Sequence, residues 1–279
     1  IKFKGFSWYF TRKKIEKLIN KLHKENKIDI LEAPDWTGIT SFIKTSCPLV
    51  IRENGSDTYF CHLDERKVKF KNYYHEKLAL KKATAIISVS EFTGNLTNTL
   101  FGLNRKFSVI PNSIDTNFFK PEDQKSNDTI LYFGSLIRKK GLLELPFIFN
   151  KVVQSNPDAK LILVGKDVPD IISGNSSTWA MMQSLFSEKA LANTNYVGSV
   201  DYAQIKKHID DATICVFPSF AEALPVSWLE AMALEKAVVA SNVGWANEII
   251  DDGVDGFLVN PKDHSVYATK ISHLLDDTD

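Results

Sequence analysis

The amino-acid sequence predicts an α/β protein with two doubly wound, Rossmann-like domains, each built on a parallel β-sheet. Three observations favour this fold class. The chain of 279 residues is long for one domain, 44% of its residues are hydrophobic, and short β-branched segments alternate with segments of helical period. The strand segments are apolar along nearly their whole length, which is typical of parallel strands covered by helices on both faces.

The first part of the chain shows this alternation incompletely. Strands are predicted in IDILEA (28–33), PLVIREN (48–54), ATAIISVS (83–90) and KFSVIPN (106–112). Helices are predicted over 11–26, near 36–45, over 64–82 and from Glu91. These are few strands for a complete sheet, so we expect the N-terminal Rossmann-like domain to be incomplete.

From about residue 129 the alternation is strict. Strands are predicted in TILYFGSL, KLILVG, NYVGSV, TICVFPS, AVVAS and GFLVN. Helices are predicted from Gly141, after Ser177, in YAQIKKHIDDA, from Pro225, near Asn247 and in HSVYATKISHLL.

The polar, Pro-containing segment 118–128 marks the domain boundary, which gives domains of 1–120 and 121–279. Two such sheets facing each other would form a cleft lined by the carboxyl ends of their strands, where open α/β sheets bind ligands.

The net charge of zero hides an asymmetry. Residues 1–125 hold 22 Lys and Arg against 14 Asp and Glu, whereas residues 126–279 hold 12 against 20. The basic half either attracts an anionic partner, such as a membrane surface or a phospholipid-linked substrate, or is a solvated surface with uneven charge. Zinc-finger spacing and an RNP-type aromatic strand are both absent from the sequence, so no nucleic-acid partner is predicted.

Cysteine content and hydropathy further limit the kind of protein that this sequence encodes. Cys47, Cys61 and Cys215 lack the spacing of metal ligands, so we predict reduced thiols and no metal site. The sequence contains neither a signal peptide nor a run of roughly 18 apolar residues, the length that a membrane-spanning helix needs. These features predict a cytoplasmic protein, with peripheral contact to the inner face of the membrane as an open alternative.

Two acids, Glu222 and Glu230, flank the point where an apolar strand gives way to a helix. Pro225 suits the first turn of that helix, whose free N–H groups and positive dipole end favour an anion such as phosphate. Glu230 lies roughly 7.5 Å beyond Pro225 at about 1.5 Å per residue, which argues against two acids that share a proton. One carboxylate on each side of a diphosphate would bind the hydroxyls of a nucleotide sugar. The alternative is two solvated acids without a ligand.

A basic loop follows the first strand of the second domain. The segment YFGSLIRKKG ends a strand at Gly134 and places Arg138, Lys139 and Lys140 just before a helix. Cations at the carboxyl end of a strand would neutralise a diphosphate and stabilise it as a leaving group. A basic turn in solvent is common for any one such cluster, and the nucleotide-sugar prediction depends on the acids and the basic loop together.

These motifs resemble the retaining glycosyltransferases of family 4, which have the GT-B fold of two Rossmann-like domains. EALPVSWLE resembles the E-x7-E motif of the family, and GSLIRKKG resembles its G-R-L-x-x-x-K-G loop. VIPNSID resembles I-P-N-G-V-D, and NEIIDDGVDGFLV resembles E-I-I-x-x-G-x-x-G-x-L-V. The four motifs occur in the family's order, and the resemblance covers about residues 85–276.

The resemblance implies a metal-independent transferase whose donor substrate is a nucleotide-diphosphate sugar, with no separate cofactor, and whose acceptor is a glycan or a lipid-linked glycan. It implies that Glu222 contacts hydroxyls of the transferred sugar, that Glu230 binds the ribose and that Lys140 contacts the diphosphate. Arg138 would be a further catalytic cation. The other donor-binding positions are in the basic loop and at the helix start: Gly134, Ser135, Ala223, Leu224 and Val226.

Three departures from the family pattern keep other functions open. Ser135 stands where the family has Arg, and Asn54 stands where it has a His in the N-terminal domain. The Gly-rich first strand, loop and helix of that domain are absent, and because the chain starts at Ile1 we expect a longer natural protein. One alternative is therefore a non-catalytic nucleotide-sugar-binding module or degenerate partner subunit. Another is a GT-B epimerase acting on UDP-N-acetylglucosamine, which the four motifs fit less closely.

Overall fold

A computed structural model describes residues 7–121 and 128–276 of the chain. The chain forms two compact units, Ile1–Asn112 (unit 1) and Ser113–Asp279 (unit 2). The functional domains 1–120 and 121–279 stay a prediction, and residues 122–127 of the predicted linker lie outside the described residues. None of the described helices is long and apolar enough to cross a membrane.

Unit 1 contains a four-stranded sheet in which every strand pair is parallel. The strands follow the chain order across the sheet: β1 (Leu31–Pro34), β2 (Leu49–Glu53), β3 (Ala85–Ser88) and β4 (Ser108–Val109). Four α-helices accompany them: α1 (Ser7–Lys24), α2 (Asp57–Leu63), α3 (Phe70–Lys82) and α4 (Glu91–Phe101). Apolar side chains of the strands pack with those of α3 and α4, among them Leu49, Ile51, Leu80 and Phe101.

The helix predicted near 36–45 is wrong, because the chain forms a single 3₁₀ turn, Trp36–Gly38, at that place. Thr37 and Gly38 have left-handed φ angles of 54° and 55°, which an α-helix does not accept. The turn lies against α3, where a Cβ added at Gly38 would be 2.2 Å from the backbone carbon of His75. Close packing against α3 therefore decides the conformation of this segment.

The long helix predicted over 64–82 is also wrong in extent, because two helices occupy this region. The hydroxyl of Ser56 accepts a hydrogen bond from the N–H of Tyr59 and so caps α2 at a point ahead of the predicted start. After α2 ends, Glu65 has a left-handed φ of 54°, and α3 begins only at Phe70. The sequence pattern predicted the second helix and missed the first.

Unit 2 contains a six-stranded parallel sheet in the order β10-β9-β8-β5-β6-β7. Its strands are β5 (Thr129–Phe133), β6 (Lys160–Val164), β7 (Thr194–Gly198), β8 (Ile214–Phe217), β9 (Ala237–Ser241) and β10 (Phe257–Val259). Its helices are α5 (Leu145–Ser155), α6 (Thr178–Gln183), α7 (Glu188–Ala192), α8 (Tyr202–Asp210), α9 (Val226–Ala233) and α10 (His264–Asp276). The prediction of parallel α/β domains is confirmed.

The strand order of unit 2 reverses direction beside β5. Chain order runs outward from β5 through β6 to β7 on one side, and from β8 through β9 to β10 on the other. Open α/β sheets bind ligands at the carboxyl ends of the strands beside such a switch point. The loops after β5 and β8, which flank the switch point, therefore mark the place in unit 2 where a ligand site is expected.

Helix α9 is fixed to this sheet by buried aromatic packing. The Trp228 ring is fully buried and stacks on Phe217 of β8, with ring centroids 6.1 Å apart. Every residue of β8 is buried, as its continuous apolar sequence predicts for a central parallel strand. The start of α9 is thus held at a defined place beside the carboxyl end of β8.

Candidate active site

A pocket of about 450 Å³ opens at the carboxyl edge of the unit 2 sheet. Its walls come from the segments that follow β5, β6, β7 and β8 and from the first turns of α8 and α9. Of the predicted site residues, the structure brings seven to its lining: Gly134, Ser135, Lys140, Glu222, Leu224, Val226 and Glu230. Arg138 and Ala223 are not among the lining residues.

Two glycines let the segments after β5 and β6 run in contact. Gly134 and Gly165 have φ angles of 140° and 146°, which side-chain-bearing residues rarely adopt. A Cβ added at Gly165 would be 1.8 Å from the carbonyl oxygen of Gly134, so no larger residue fits there. The N–H of Leu136 also donates to the carbonyl of Lys166 at 2.8 Å, which continues the strand pairing into the pocket wall.

Lys140 and Glu222 form an ion pair inside the pocket. The Nζ of Lys140 lies 3.0 Å from Oε1 of Glu222, and the Ser219 hydroxyl donates to the same oxygen at 3.3 Å. Lys140 arrives on a 3₁₀ turn closed by Gly141, where an added Cβ would be 1.8 Å from the Pro218 carbonyl oxygen. The basic loop and the acidic motif, far apart in sequence, therefore meet at one place.

Glu230 lies on α9 and is nearly buried, with 5% of its surface exposed. The hydroxyl of Tyr202, at the start of α8, donates to its Oε1 at 2.6 Å. Burial raises the pKa of Glu230, while the Tyr202 hydrogen bond and the charge of Lys140 act in the opposite direction. Burial, the hydrogen bond and the charge of Glu230 raise the pKa of Tyr202 to about 12, so the phenol remains a donor at neutral pH.

Helix α9 begins at the pocket wall. Pro225 has extended backbone angles of φ −72° and ψ 119° and serves as the N-cap, so the helix begins at Val226, one residue later than predicted. Pro225, Val226 and Ser227 all line the pocket. The positive end of the helix dipole therefore lies at the pocket, between Glu222 and Glu230 in the sequence.

Arg138 is held outside the pocket lining by a buried acid. Its Nε and Nη2 donate to the two oxygens of Asp170 at 2.8 and 2.7 Å, and Asp170 is 2% exposed. Asp170 also accepts hydrogen bonds from the N–H and the hydroxyl of Ser173. The Arg138 guanidinium, followed by the Ser173 donors, holds the pKa of Asp170 well below its usual range. This geometry gives Arg138 a structural partner, and its catalytic contact stays a prediction.

Among the lining and supporting residues that the sequence did not predict, three have polar side chains with a clear place in the site. Tyr202 partners Glu230, and Lys166 lines the pocket directly after Gly165. Tyr132 is buried in β5 and donates its hydroxyl to the Ser135 carbonyl at 2.9 Å, which fixes the loop after the strand. Lys166 had a detectable signal, a cation at the end of a strand next to β5, whereas the Tyr202 partnership had none.

Two family models divide the chain between them. The model described as "Glycosyl transferases group 1" matches residues 113–279, and the model described as "Glycosyltransferase Family 4" matches residues 2–118. The chain belongs to the group 1 glycosyl transferases. The predicted resemblance to family 4 is thereby confirmed.

Curated relatives of this group 1 glycosyl transferase are distant in sequence. The capsular polysaccharide biosynthesis glycosyltransferase CapM of Staphylococcus aureus is 27% identical over 231 residues, which cover 74% of this chain and 56% of CapM. A glycogen synthase of Mycobacterium tuberculosis is 25% identical over 206 residues, which cover 72% of this chain and 48% of the synthase. The chain thus spans about half the length of these curated relatives.

Solved structures confirm the GT-B-like fold of this group 1 glycosyl transferase. Sucrose-phosphate synthase from Thermosynechococcus elongatus superposes with a TM-score of 0.76 at 18% identity, covering 98% of this chain and 71% of the synthase. HepE of Anabaena in complex with UDP and glucose gives a TM-score of 0.74 at 22% identity, covering 94% of this chain and 72% of HepE.

Proposed function

We propose that this protein is a retaining glycosyltransferase that moves a sugar from a nucleotide-diphosphate sugar to a glycan or glycolipid acceptor without a metal ion. One observation carries the proposal: a single pocket joins the Lys140–Glu222 pair, the start of α9 and the carboxylate of Glu230. A cation and a helix N-terminus suit a diphosphate, and an acid on each side suits hydroxyls. A nucleotide sugar has this layout of sugar, diphosphate and ribose.

The chain's own residues can supply the electrostatics that the transfer needs. Lys140 and the dipole of α9 would stabilise the negative charge that develops on the leaving diphosphate. Glu222 would accept hydrogen bonds from hydroxyls of the transferred sugar, and Glu230 would accept them from the ribose. The backbone N–H groups of Ala223, Leu224 and Val226 would surround the phosphate and sugar, whereas Pro225 has no N–H to give.

The relatives support the donor class. HepE of Anabaena is described in complexes with UDP, with UDP and glucose, and with UDP-glucose, and CapM is described as a capsular polysaccharide biosynthesis glycosyltransferase. We infer that the acceptor is one used in polysaccharide or lipopolysaccharide assembly. The proposal places the enzyme in the cytoplasm, and the basic residues of the first half suit peripheral contact with an anionic inner membrane face.

The test compares donor turnover by the wild-type chain and by Glu222→Ala and Glu222→Gln variants. A thermal-shift screen with UDP-, GDP- and ADP-sugars first identifies the donor, because a ligand that binds only the native state raises its melting temperature. We then expect Glu222→Ala to lower release of nucleoside diphosphate by about a hundredfold, which corresponds to roughly 3 kcal/mol. Unchanged circular dichroism would show that the fold is intact, and Glu188→Ala, an exposed acid of unit 2, is the control.

Two results would contradict the proposal. Full activity of Glu222→Ala would refute the sugar contact, and loss of activity on adding EDTA would refute metal independence. Donor binding by the wild type without any nucleoside diphosphate release would instead support the non-catalytic binding module, for which the uncharged Ser135 in the pocket wall is the motivating observation. The anomeric configuration of the product, read by NMR, checks retention.

A further inference from the structure

We propose that Lys166 binds the diphosphate of the ligand in the unit 2 pocket, a role that rests on the proposed nucleotide-sugar site. Lys166 lines the pocket, is exposed, and directly follows Gly165 at the carboxyl end of β6. It therefore lies in the loop after β6, next to the basic loop after β5 that borders the switch point between β5 and β8. The two loops together would hold the phosphates.

The backbone places Lys166 next to the uncharged position of the first loop. The Leu136 N–H donates to the Lys166 carbonyl, and Leu136 and Asp167 pair as an isolated parallel bridge. Ser135, which immediately precedes Leu136, brings no charge to the pocket. The close approach of Gly134 and Gly165 keeps both loops at this spacing. A cation at Lys166 thus lies beside the place where the first loop lacks one.

The charges of the pocket lining leave Lys166 available to an anion. Lys140 is paired with Glu222 at 3.0 Å, and Arg138 is paired with Asp170 outside the lining. No ion pair within 7–121 and 128–276 includes Lys166. Its neighbour Asp167 is occupied as an acceptor for the Ser177 hydroxyl at 2.6 Å and the Trp179 N–H at 3.0 Å.

The formally charged side chains that line the pocket are two lysines and two glutamates, so the lining is close to neutral. A diphosphate brings several negative charges into it, and removal of Lys166 would leave the two glutamates with one lysine. Because the ammonium group is exposed, water and salt screen its attraction for phosphate. We therefore expect a moderate contribution to affinity that decreases as ionic strength rises.

The experiment measures binding of UDP, GDP and ADP to the whole chain by isothermal titration calorimetry. For the nucleotide that binds, we expect Lys166→Met to weaken the affinity about tenfold and Lys166→Arg to retain it. Lys160→Met is the matched control, since Lys160 is an exposed lysine at the opposite end of the same strand. The loss should be smaller for the matching nucleoside monophosphate and should shrink as NaCl is added.

The outcomes separate this inference from the proposed function. If the wild type binds a nucleoside diphosphate and Lys166→Met binds it equally tightly, the role of Lys166 is overturned and the proposed function stands. An equal loss for diphosphate, monophosphate and free nucleoside would also overturn it, because that pattern indicates a change in pocket shape. If the wild type binds none of the three nucleotides, both the inference and the nucleotide-sugar site are overturned.

Discussion

The carboxyl edges of the two sheets hold their acidic side chains in different ways. In unit 1, Asp35 follows β1 and Glu53 ends β2, and the pairing of Pro34 with Arg52 brings the next residues side by side. They are 1% and 2% exposed. Within the described part of the chain, Oδ2 of Asp35 and Oε2 of Glu53 are buried without a hydrogen-bond partner.

The acids at the unit 2 edge have partners and an opening to solvent. Glu222 is paired with Lys140, and Glu230 accepts from Tyr202 within the pocket. In unit 1, burial raises the pKa of Asp35 to about 7, and burial together with the nearby Asp35 raises that of Glu53 to about 8. Similar strand ends thus give one edge whose acids favour the protonated form and another whose acids are positioned to accept hydrogen bonds from a ligand.

The largest expected effect is on the pH dependence of unit 1. An acid whose pKa is raised by folding stays protonated in the native state while it ionises in the unfolded state, so stability falls as pH rises. For Glu53 the fall should begin near an ordinary carboxylate pKa and end near pH 8. Glu53→Gln removes this ionisation and should raise the free energy of unfolding of unit 1 on the order of 4 kcal/mol at pH 8, with little change at pH 4.

Urea denaturation followed by hydrogen-exchange mass spectrometry measures the effect, since peptides from β2 and β3 report on unit 1 alone. Glu65→Gln, which removes an exposed acid from the same unit, is the control and should leave the pH profile unchanged. If the free energy of unfolding of unit 1 changed with pH in the same way for the wild type and Glu53→Gln between pH 4 and 8, Glu53 would not have a raised pKa. The contrast drawn between the two sheet edges would then be wrong.

The sequence predicted unit 2 better than unit 1. The strand AVVAS coincides with β9, and the apolar runs of the other strands lie within one to three residues of their observed ends, because fully buried parallel strands carry a strong hydrophobic signal. In unit 1 the turn at Trp36–Gly38 depends on contact with α3, which follows more than thirty residues later. Such tertiary contacts override local propensity.

The sequence predicted where the candidate site lies better than it predicted which side chains contact each other within it. The motifs located Lys140, Glu222 and Glu230, because loop and helix-start positions follow from strand and helix signals. Strand and helix signals do not predict which side chains form hydrogen bonds with each other. Asp170 lies 32 residues from the Arg138 that it binds, and Tyr202 lies 28 residues from Glu230. Which cation meets which acid is decided by loop geometry that one sequence does not reveal.

Asp170 sharpens the comparison, because it is as buried as Glu53 and yet has a cation partner. Its lowered pKa means that its contribution to stability is present above an ordinary carboxylate pKa and is lost as pH falls through the folded value. We expect Asp170→Ala to lower the free energy of unfolding of unit 2 by about 2 kcal/mol at pH 7, and by less at pH 3.

Arg138→Ala should act through the same pair, because it leaves Asp170 buried without its cation. We expect it to destabilise unit 2 in urea denaturation while nucleoside diphosphate affinity stays within about twofold. Arg138→Lys, which keeps the charge and loses the two-point contact, should be intermediate in stability. A large loss of affinity without destabilisation would instead support the catalytic role predicted from the sequence.

The smallest expected effect tests whether the acids of the unit 2 edge depend on their partners. Tyr202→Phe removes the hydrogen bond that lowers the pKa of Glu230, so burial would raise that pKa further. Because the ionised carboxylate is the better acceptor for ribose hydroxyls, nucleotide binding should weaken about fivefold at pH 7 and more at pH 6. Calorimetry at both pH values measures this, with Tyr74→Phe, at an exposed tyrosine of unit 1, as the control. A pH-independent loss in Tyr202→Phe would mean that the hydroxyl positions the Glu230 carboxylate without setting its ionisation. Glu230 would then ionise without the phenol, in contrast to the fully buried Glu53.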